Sequence, residues 1–217
     1  MTNKILITGP LGHIGSKFIH SLKPREYEEI VMVDNLSTQR YSSLFNLPKG
    51  VRYSFYEENI LEADLHSLFR NIDKVIHLAA ITDATSSFKK RDEVEEVNYL
   101  GTKKVVEACM AEGCKLLFPS TTSVYGTQKE LVDEDCEKSE LQPQSPYAET
   151  KLKSEEFISR MASKGKLEAS IIRLGTIFGT SKGMRFHTAI KKFCWQAVLG
   201  KPLTVWKTAL NQKRPYL

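Results

Sequence analysis

Cysteine is scarce in this chain, and its few thiols show no metal-binding pattern. The 217 residues include four cysteines, Cys109, Cys114, Cys136 and Cys194, with no Cys-x-x-Cys pair and no histidine-rich partner segment. This usage is typical of free thiols in a reducing compartment rather than of disulfides or metal ligands. We therefore assign no metal site.

Long apolar runs and strong charge of one sign are also missing. The first apolar run is ended by Thr8 and Gly9, so it is too short for a signal peptide or a membrane span. The net charge is only +5, and the basic run at residues 89–91 is followed at once by two acids, as on a solvated surface. We expect a cytoplasmic protein with no membrane segment and no nucleic-acid partner, and a small anionic ligand suits this charge.

Repeats and low-complexity segments are absent too, and the remaining pattern is an alternation of strands and helices. Strand-like runs, mostly separated by helical patterns, occur at residues 4–8, 30–34, 51–55, 74–78, 115–118 and 169–173. Alternation of this kind predicts an α/β fold with a doubly wound parallel sheet. Ligands of such folds bind at the carboxyl edge of the sheet.

The glycines after the first strand predict a dinucleotide site. Gly9, Gly12 and Gly15 are spaced by two residues between that strand and a helical segment at 14–22. Glycine lets the backbone turn sharply and approach a pyrophosphate, which the helix N-terminus meets with free N–H groups. Asp34 ends the second strand at the offset of a ribose-binding carboxylate, which would repel a 2′-phosphate. The sequence therefore predicts NAD rather than NADP as cofactor.

A tyrosine and a lysine four residues apart indicate proton-transfer chemistry. Tyr147 and Lys151 lie on one face of a predicted helix at 147–161. A lysine ammonium one turn away lowers the pKa of a phenol, whose ordinary value is about 10. Such a pair can take a proton from a sugar hydroxyl while hydride leaves the same carbon.

Hydroxyl side chains cluster after the fifth strand, in the run Ser120, Thr121, Thr122 and Ser123. At the carboxyl end of a strand they can hydrogen-bond a substrate oxygen as it becomes a carbonyl. An ordinary serine and threonine turn is the alternative interpretation of the same residues.

Together these motifs resemble the extended short-chain dehydrogenase/reductase family, and within it the nucleotide-sugar enzymes typified by UDP-glucose 4-epimerase. Besides the glycine motif and the Tyr147/Lys151 pair, the matching segments are residues 34–37, 59–60, 77–80, 98–102 and 120–126. The resemblance runs from end to end. It implies a Rossmann fold, NAD as cofactor and a nucleotide sugar as substrate.

The resemblance also implies a role for each matching position. Thr121 would polarise the C4 oxygen of the sugar, Tyr147 would be the acid/base, and Lys151 would lower its pKa and hold the nicotinamide ribose. The implied cofactor-binding residues are Gly9, Gly12, His13, Ile14, Gly15, Asp34, Asn35, Ser37, Asn59, Ile60, Leu78, Ala79, Ala80, Asn98, Ser120, Tyr147 and Lys151. The implied substrate-binding residues are Thr82, Thr121, Thr122, Thr176 and Arg214, of which Arg214 would contact the substrate diphosphate.

Two histidines near these motifs receive plainer interpretations. His77 matches a structural position of the family pattern, so we do not assign it a catalytic role. His13 lies beside the expected pyrophosphate, and we interpret it as a packing residue there.

The resemblance implies two units within the chain and a homodimer. Residues 1–175 form the NAD-binding Rossmann domain with the catalytic pair, and residues 176–217 begin a smaller substrate-binding lobe. We expect a helix at 184–199 and a short strand at 203–206 that no later helix covers, so we expect this lobe to be incomplete. The homodimer would form through the helices at 94–111 and 147–161.

The reaction implied is epimerisation at C4 through a 4-keto sugar that rotates in the pocket. The 4,6-dehydratases of the family carry Asp-Glu directly after the catalytic threonine, where this chain has Thr122 and Ser123, and Thr176 replaces an asparagine that usually contacts the substrate. Another nucleotide-sugar dehydrogenase, reductase or dehydratase is the alternative among enzymes. A non-catalytic NAD sensor is the alternative from another class, and the intact Tyr147/Lys151 pair argues against it.

Overall fold

Six strands build one parallel sheet in the computed structural model, which describes residues 3–23, 25–84, 86–126, 132–186 and 188–205. The strands are β1 (Lys4–Thr8), β2 (Glu29–Asp34), β3 (Arg52–Glu57), β4 (Lys74–His77), β5 (Lys115–Thr121) and β6 (Ala169–Leu174). Their spatial order is β3-β2-β1-β4-β5-β6, and every neighbouring pair is parallel. This is the strand order of a doubly wound Rossmann fold, so the predicted fold class is confirmed.

Helices cover both faces of the sheet. The α-helices are α1 (His13–Ser21), α2 (Leu65–Phe69), α3 (Arg91–Val94), α4 (Gly101–Glu112), α5 (Pro146–Ser163) and α6 (Ala189–Val198). A π-helix, Glu95–Leu100, joins α3 to α4 without a break. Short 3₁₀ helices lie at Tyr41–Leu44, Ser86–Phe88, Thr122–Tyr125 and Lys138–Glu140. None of the helices in the described part of the chain combines the length and the apolar character that crossing a bilayer requires.

The start of α5 is set by local sequence. The side chain of Ser145 accepts a hydrogen bond from the N–H of Ala148 at 3.2 Å, and Pro146 stands at the first helical position, where its missing N–H costs nothing. This cap places Tyr147 in the first turn of the helix and Lys151 in the second.

The hydrophobic core has two layers because the strands are buried on both faces. In β1, Leu6 belongs to the layer beneath α2, α4 and α5, whereas Ile5 and Ile7 belong to the layer beneath α1. Successive side chains of a strand point to opposite faces, so the continuous apolar run of β1 supplies both layers.

The structure corrects two boundaries predicted near the end of the chain. The helix expected at 184–199 begins only at Ala189, and before it Ser181 and Gly183 are bound to His13 and Ser16 at the start of α1. The strand expected at 203–206 is not formed by residues 203–205, and Trp206 lies outside the described residues. Elsewhere the predicted strands and helices agree with the structure to within about three residues at each end.

Candidate active site

A crevice opens between β1 and β4, where the strand order reverses. Gly9 follows β1 and Leu78 follows β4, and both residues line two adjoining cavities of about 250 and 400 Å³. Open α/β sheets bind their ligands at such a switch point, beyond the carboxyl ends of the strands. The fold therefore places the candidate site where the glycine motif predicts it.

Two glycines of the motif, Gly9 and Gly15, occupy positions that no other residue could fill without a shift of the backbone. Gly9 has φ +67°, and a Cβ built on it would lie 2.7 Å from the backbone nitrogen of Ala79. A Cβ at Gly15 would lie 2.6 Å from the carbonyl oxygen of Pro10. The loop is thus packed tightly between β4 and α1, which is the cradle that a dinucleotide needs.

The larger cavity has the character of an adenosine site. Asp34 is half-buried in its wall, and its carboxylate accepts N–H bonds from Leu11 at 3.3 Å and Leu36 at 3.0 Å. Burial raises the pKa of Asp34, and those hydrogen bonds oppose the shift. The predicted residues that also line this cavity are Asn35, Ser37, Asn59, Ile60, Leu78, Ala79 and Ala80.

The smaller cavity collects the residues predicted to carry chemistry. Thr121, Tyr147 and Lys151 line it together. Gly9 and Gly12 line both cavities, so the two cavities adjoin at the glycine loop. The remaining predicted residues in its wall are His13, Ile14, Gly15, Ala80, Thr82, Ser120 and Thr176.

The Tyr147 phenol is not acidified in this structure, contrary to the expectation for its pairing with Lys151. Burial raises the pKa of Tyr147 to about 12, and a hydrogen bond with Thr121 opposes the rise. The Lys151 ammonium donates instead to the Pro119 carbonyl at 2.8 Å and lies 4.4 Å from the centre of the Phe118 ring. Lys151 is thus held beside the site without lowering the Tyr147 pKa.

A buried ion pair behind Lys151 was missed by the sequence analysis. Glu155 lies one turn after Lys151 on α5, and its carboxylate accepts bonds from Arg173 at 2.7 Å and from the hydroxyl of Ser120. Burial lowers the pKa of Lys151 to about 8, and the charge of Glu155 opposes the shift. The i, i+4, i+8 spacing of Tyr147, Lys151 and Glu155 is the signal that could have revealed this neighbour.

His77 is the centre of a buried hydrogen-bond chain. Thr102 gives its hydroxyl proton to the carbonyl of Asn98, so its oxygen accepts from His77 Nε2–H at 3.0 Å. His77 Nδ1 therefore accepts from the hydroxyl of Thr8 at 2.7 Å, and the oxygen of Thr8 accepts from the N–H of Ala79 at 3.2 Å. The imidazole is neutral, which supports the structural interpretation of this residue.

Two of the predicted site residues that the structure describes do not line either cavity. Asn98 is buried behind the crevice, where its side chain bonds both the N–H and the carbonyl of Ile81 at 2.8 and 2.9 Å. It therefore holds the cavity wall rather than lining it. Thr122 lies in the 3₁₀ helix after β5, outside both cavity walls. Arg214 lies outside the described residues.

Ser120 and His13 make contacts that the sequence did not indicate. Ser120 lines the smaller cavity, yet its hydroxyl is bound to Glu155. His13 is more than a packing residue, because its Nδ1 pairs with the hydroxyl of Ser181 at 2.6 Å. Arg40, Arg185 and Lys191 also line the cavities and were missed, because they reach the site from three separate segments.

Comparison with known proteins places this geometry in a family. The uncharacterized UDP-glucose epimerase YtcB of Bacillus subtilis (strain 168) is 32% identical over 94% of this chain and 65% of its own length. A dTDP-D-glucose 4,6-dehydratase of Dictyostelium discoideum is 32% identical over 97% of this chain and 51% of its own length. The crystal structure of UDP-glucuronic acid 4-epimerase from Bacillus cereus in complex with UDP-glucuronic acid and NAD matches with a TM-score of 0.84 and 32% identity, over 94% of this chain and 65% of that one.

The chain spans less than two thirds of the length of each of these proteins. The model of the NAD dependent epimerase/dehydratase family matches residues 5–217. Because this match covers nearly the whole chain, the chain belongs to the NAD dependent epimerase/dehydratase family.

Proposed function

We propose that this protein is an NAD-dependent nucleotide-sugar epimerase that acts at C4. The observation that carries the proposal is that Thr121, Tyr147 and Lys151 line one cavity, which adjoins a second cavity across the glycine loop. Family relatives with that activity include the 4-epimerase from Bacillus cereus, whose structure holds UDP-glucuronic acid and NAD.

The crevice suits NAD in its backbone geometry and in its charge. The glycine loop leaves no room for side chains between β4 and α1, and the Asp34 carboxylate stands in the adenosine cavity. Each Asp34 oxygen accepts one backbone N–H and keeps a lone pair for a ribose hydroxyl. NAD, when bound there, supplies the acceptor for the C4 hydride.

In this proposal Tyr147 removes the proton from the C4 hydroxyl of the sugar, and Thr121 steadies the oxygen as it becomes a carbonyl. A phenol with a pKa of about 12 is a poor base, so the phenolate must be stabilised in the ternary complex. Lys151, one turn away and still protonated at neutral pH, supplies one positive charge, and the nicotinamide cation would supply another. The proposed base is therefore active only in the loaded site.

The residues after Thr121 support epimerisation over dehydration. A 4,6-elimination needs a base for the C5 proton and an acid for the leaving hydroxyl, and carboxyl groups suit both tasks at neutral pH. Thr122 and Ser123 stand there instead, and the N–H of Ser123 is bound to the Thr121 hydroxyl oxygen at 3.1 Å. At these two positions the chain therefore lacks the carboxyl groups that a dehydratase of the family would require.

Product analysis tests the proposal. The protein is incubated with UDP-glucuronic acid or UDP-glucose, and the sugar is examined by mass spectrometry and NMR. We expect a product of unchanged mass with inverted C4 and no accumulation of NADH. A product lighter by one water would identify a dehydratase, and stoichiometric NADH would identify a dehydrogenase.

Tyr147→Phe tests the assigned base. Turnover should fall by more than about a hundredfold while NAD affinity is retained, because only the proton relay is removed. Tyr53→Phe is the matched control, since Tyr53 is a partly buried tyrosine that lines neither cavity. Near-normal turnover in the Tyr147 variant would move the chemistry to another residue.

The proposal extends to domains, assembly and location. Residues 1–175 would bind the cofactor, and residues 176–217 would begin the substrate-binding lobe, with Arg214 on the substrate diphosphate. A homodimer through the helices at 94–111 and 147–161 would cover Leu100, which is exposed. The four free cysteines favour a cytoplasmic location.

A further inference from the structure

Three cationic side chains lie together in the crevice, beside the glycine loop. Arg40 and Arg185 line both cavities, and Lys191 lines the smaller one. A Cβ at Gly12 would lie 4.0 Å from Nη1 of Arg40, so this guanidinium faces the loop directly. The three residues come from the segment after β2, from residues 181–186, and from α6.

These cations have few partners within the protein. Lys191 is only 6% exposed, yet its ammonium group forms no hydrogen bond or ion pair with any residue that the structure describes. Nη1 of Arg40 and the hydroxyl of Thr188 are buried and likewise lack a hydrogen-bond partner in the described part of the chain. Burial, and then the charges of Arg185 and Arg40, lower the pKa of Lys191 to about 8.

The segment at residues 181–186, here named the strap, is bound to the glycine loop at several points. Besides the bond from His13 to Ser181, the N–H of Gly183 donates to the hydroxyl of Ser16 at 2.9 Å. A Cβ on Gly183 would lie 2.0 Å from the carbonyl oxygen of Leu11, so only glycine allows this approach. Arg185 then reaches Thr82 on the far side of the crevice at 3.1 Å.

We propose that the strap and α6 supply a second, cationic half of the dinucleotide site, in which Arg185 and Lys191 together with Arg40 bind the diphosphate of NAD. The proposal rests on the proposed function. The free N–H groups at the start of α1 would meet the diphosphate from one side and the cations from the other. Lys191 is buried beside the like charges of Arg185 and Arg40, which is unfavourable, and a dianion between the three cations would reduce that cost.

Two diphosphates could use this chemistry, that of NAD and that of the nucleotide sugar. The position favours NAD, because Arg40 and Arg185 line the wall between the adenosine cavity and the catalytic cavity. The consequence for catalysis is retention of the cofactor. An epimerase must keep its NAD between the two halves of the reaction, and a site closed by the strap would slow its release.

Calorimetry on Lys191→Met and Arg185→Gln tests the assignment, with NAD, ADP-ribose and UDP as ligands. Lys192→Met is the matched control, since Lys192 lies next along α6, carries the same charge and lines neither cavity. We expect the first two variants to bind NAD and ADP-ribose at least about tenfold more weakly than the control, as for loss of a charge-assisted hydrogen bond.

The melting temperature of the ligand-free protein provides the second measurement. Lys191→Met should not lower it, because the substitution removes a desolvated charge that neighbouring cations repel. A purely structural role for Lys191 would lower it and would contradict the proposal. Weaker binding of UDP with unchanged binding of NAD would overturn the dinucleotide assignment, as would an equal loss in Lys192→Met. Failure of the unaltered protein to bind NAD would instead overturn the proposed function.

Discussion

Acidification should unfold this protein through His77. The imidazole is buried between Thr8 and Thr102, and its Nδ1 accepts a hydrogen bond, so it has no place for a second proton. Burial, and then the charge of Lys151, lower the pKa of His77 to about 3. A protonated ring would require the Thr8 hydroxyl to turn away and lose its acceptor.

The size of the effect follows from the two pKa values. Between pH 6.5 and pH 3 the unfolded chain binds a proton at His77 that the folded chain does not, so the free energy of unfolding falls as the pH is lowered through this window. At about 1.4 kcal/mol per pH unit the full loss reaches about 5 kcal/mol at pH 3, and about 2.5 kcal/mol is lost between pH 7 and pH 4.5. Such a loss is comparable to the whole stability of many domains.

Urea unfolding at a series of pH values, followed by circular dichroism, measures this slope. His77→Gln should lower the stability at pH 7 but remove most of the dependence on pH, because glutamine does not titrate. His66→Gln is the control, since His66 is an exposed histidine on α2. The reasoning is refuted if the slope is the same in His77→Gln and in the unaltered protein.

Two further substitutions test the cofactor preference and the ion pair behind Lys151. Asp34→Ala should weaken NAD binding by about 1–3 kcal/mol and reduce the preference for NAD over NADP, because the ribose hydroxyls lose their acceptor. Calorimetry measures both affinities. Equal affinity of the unaltered protein for NAD and NADP would contradict the assignment. Glu155→Gln should lower the free energy of unfolding in urea by about 3 kcal/mol, because Arg173, whose side chain is 19% exposed, loses its charged partner and keeps only Tyr125. Glu155→Gln should also move the alkaline limb of the pH–rate profile below pH 8, because the charge that raises the Lys151 pKa is gone. Glu156→Gln, at the exposed neighbouring position, is the control and should change neither the stability nor the pH–rate profile.

The parts of this site that the sequence predicts are those encoded by local spacing. Each of these features lies within a single local element: the glycines in a turn, Asp34 at a strand end, and the Tyr147/Lys151 pair on one helix face. Their spacing along the chain is therefore enough to predict that element. The parallel sheet follows from the alternation of strands and helices, because parallel strands require crossover connections, whereas the order of the strands does not follow from it.

The remaining parts depend on contacts between distant segments. The bond between Gly183 and Ser16 joins residues 167 positions apart, and no local pattern announces it. The Tyr147 pKa is likewise a property of burial and of the direction of the Lys151 ammonium, and the spacing of the two residues does not determine either. The bonds from Asn98 to Ile81 are not evident from the sequence either, since the sequence cannot tell whether an amide faces a cavity or holds its wall.

The π-helix at Glu95–Leu100 sets how the helical residues that hold the crevice wall are rotated relative to those that pack in the core. Its wider turn holds one more residue than a turn of α-helix, so α3 and α4 differ in phase although they are continuous. Removing one residue from this turn would restore a regular helix and rotate α3 by about 100° relative to α4. Arg91 would then leave Glu149, which it meets at 2.7 Å, and Asn98 would leave Ile81. The number of residues in the π-helix, more than the identity of any one side chain, therefore keeps the crevice wall aligned with the sheet.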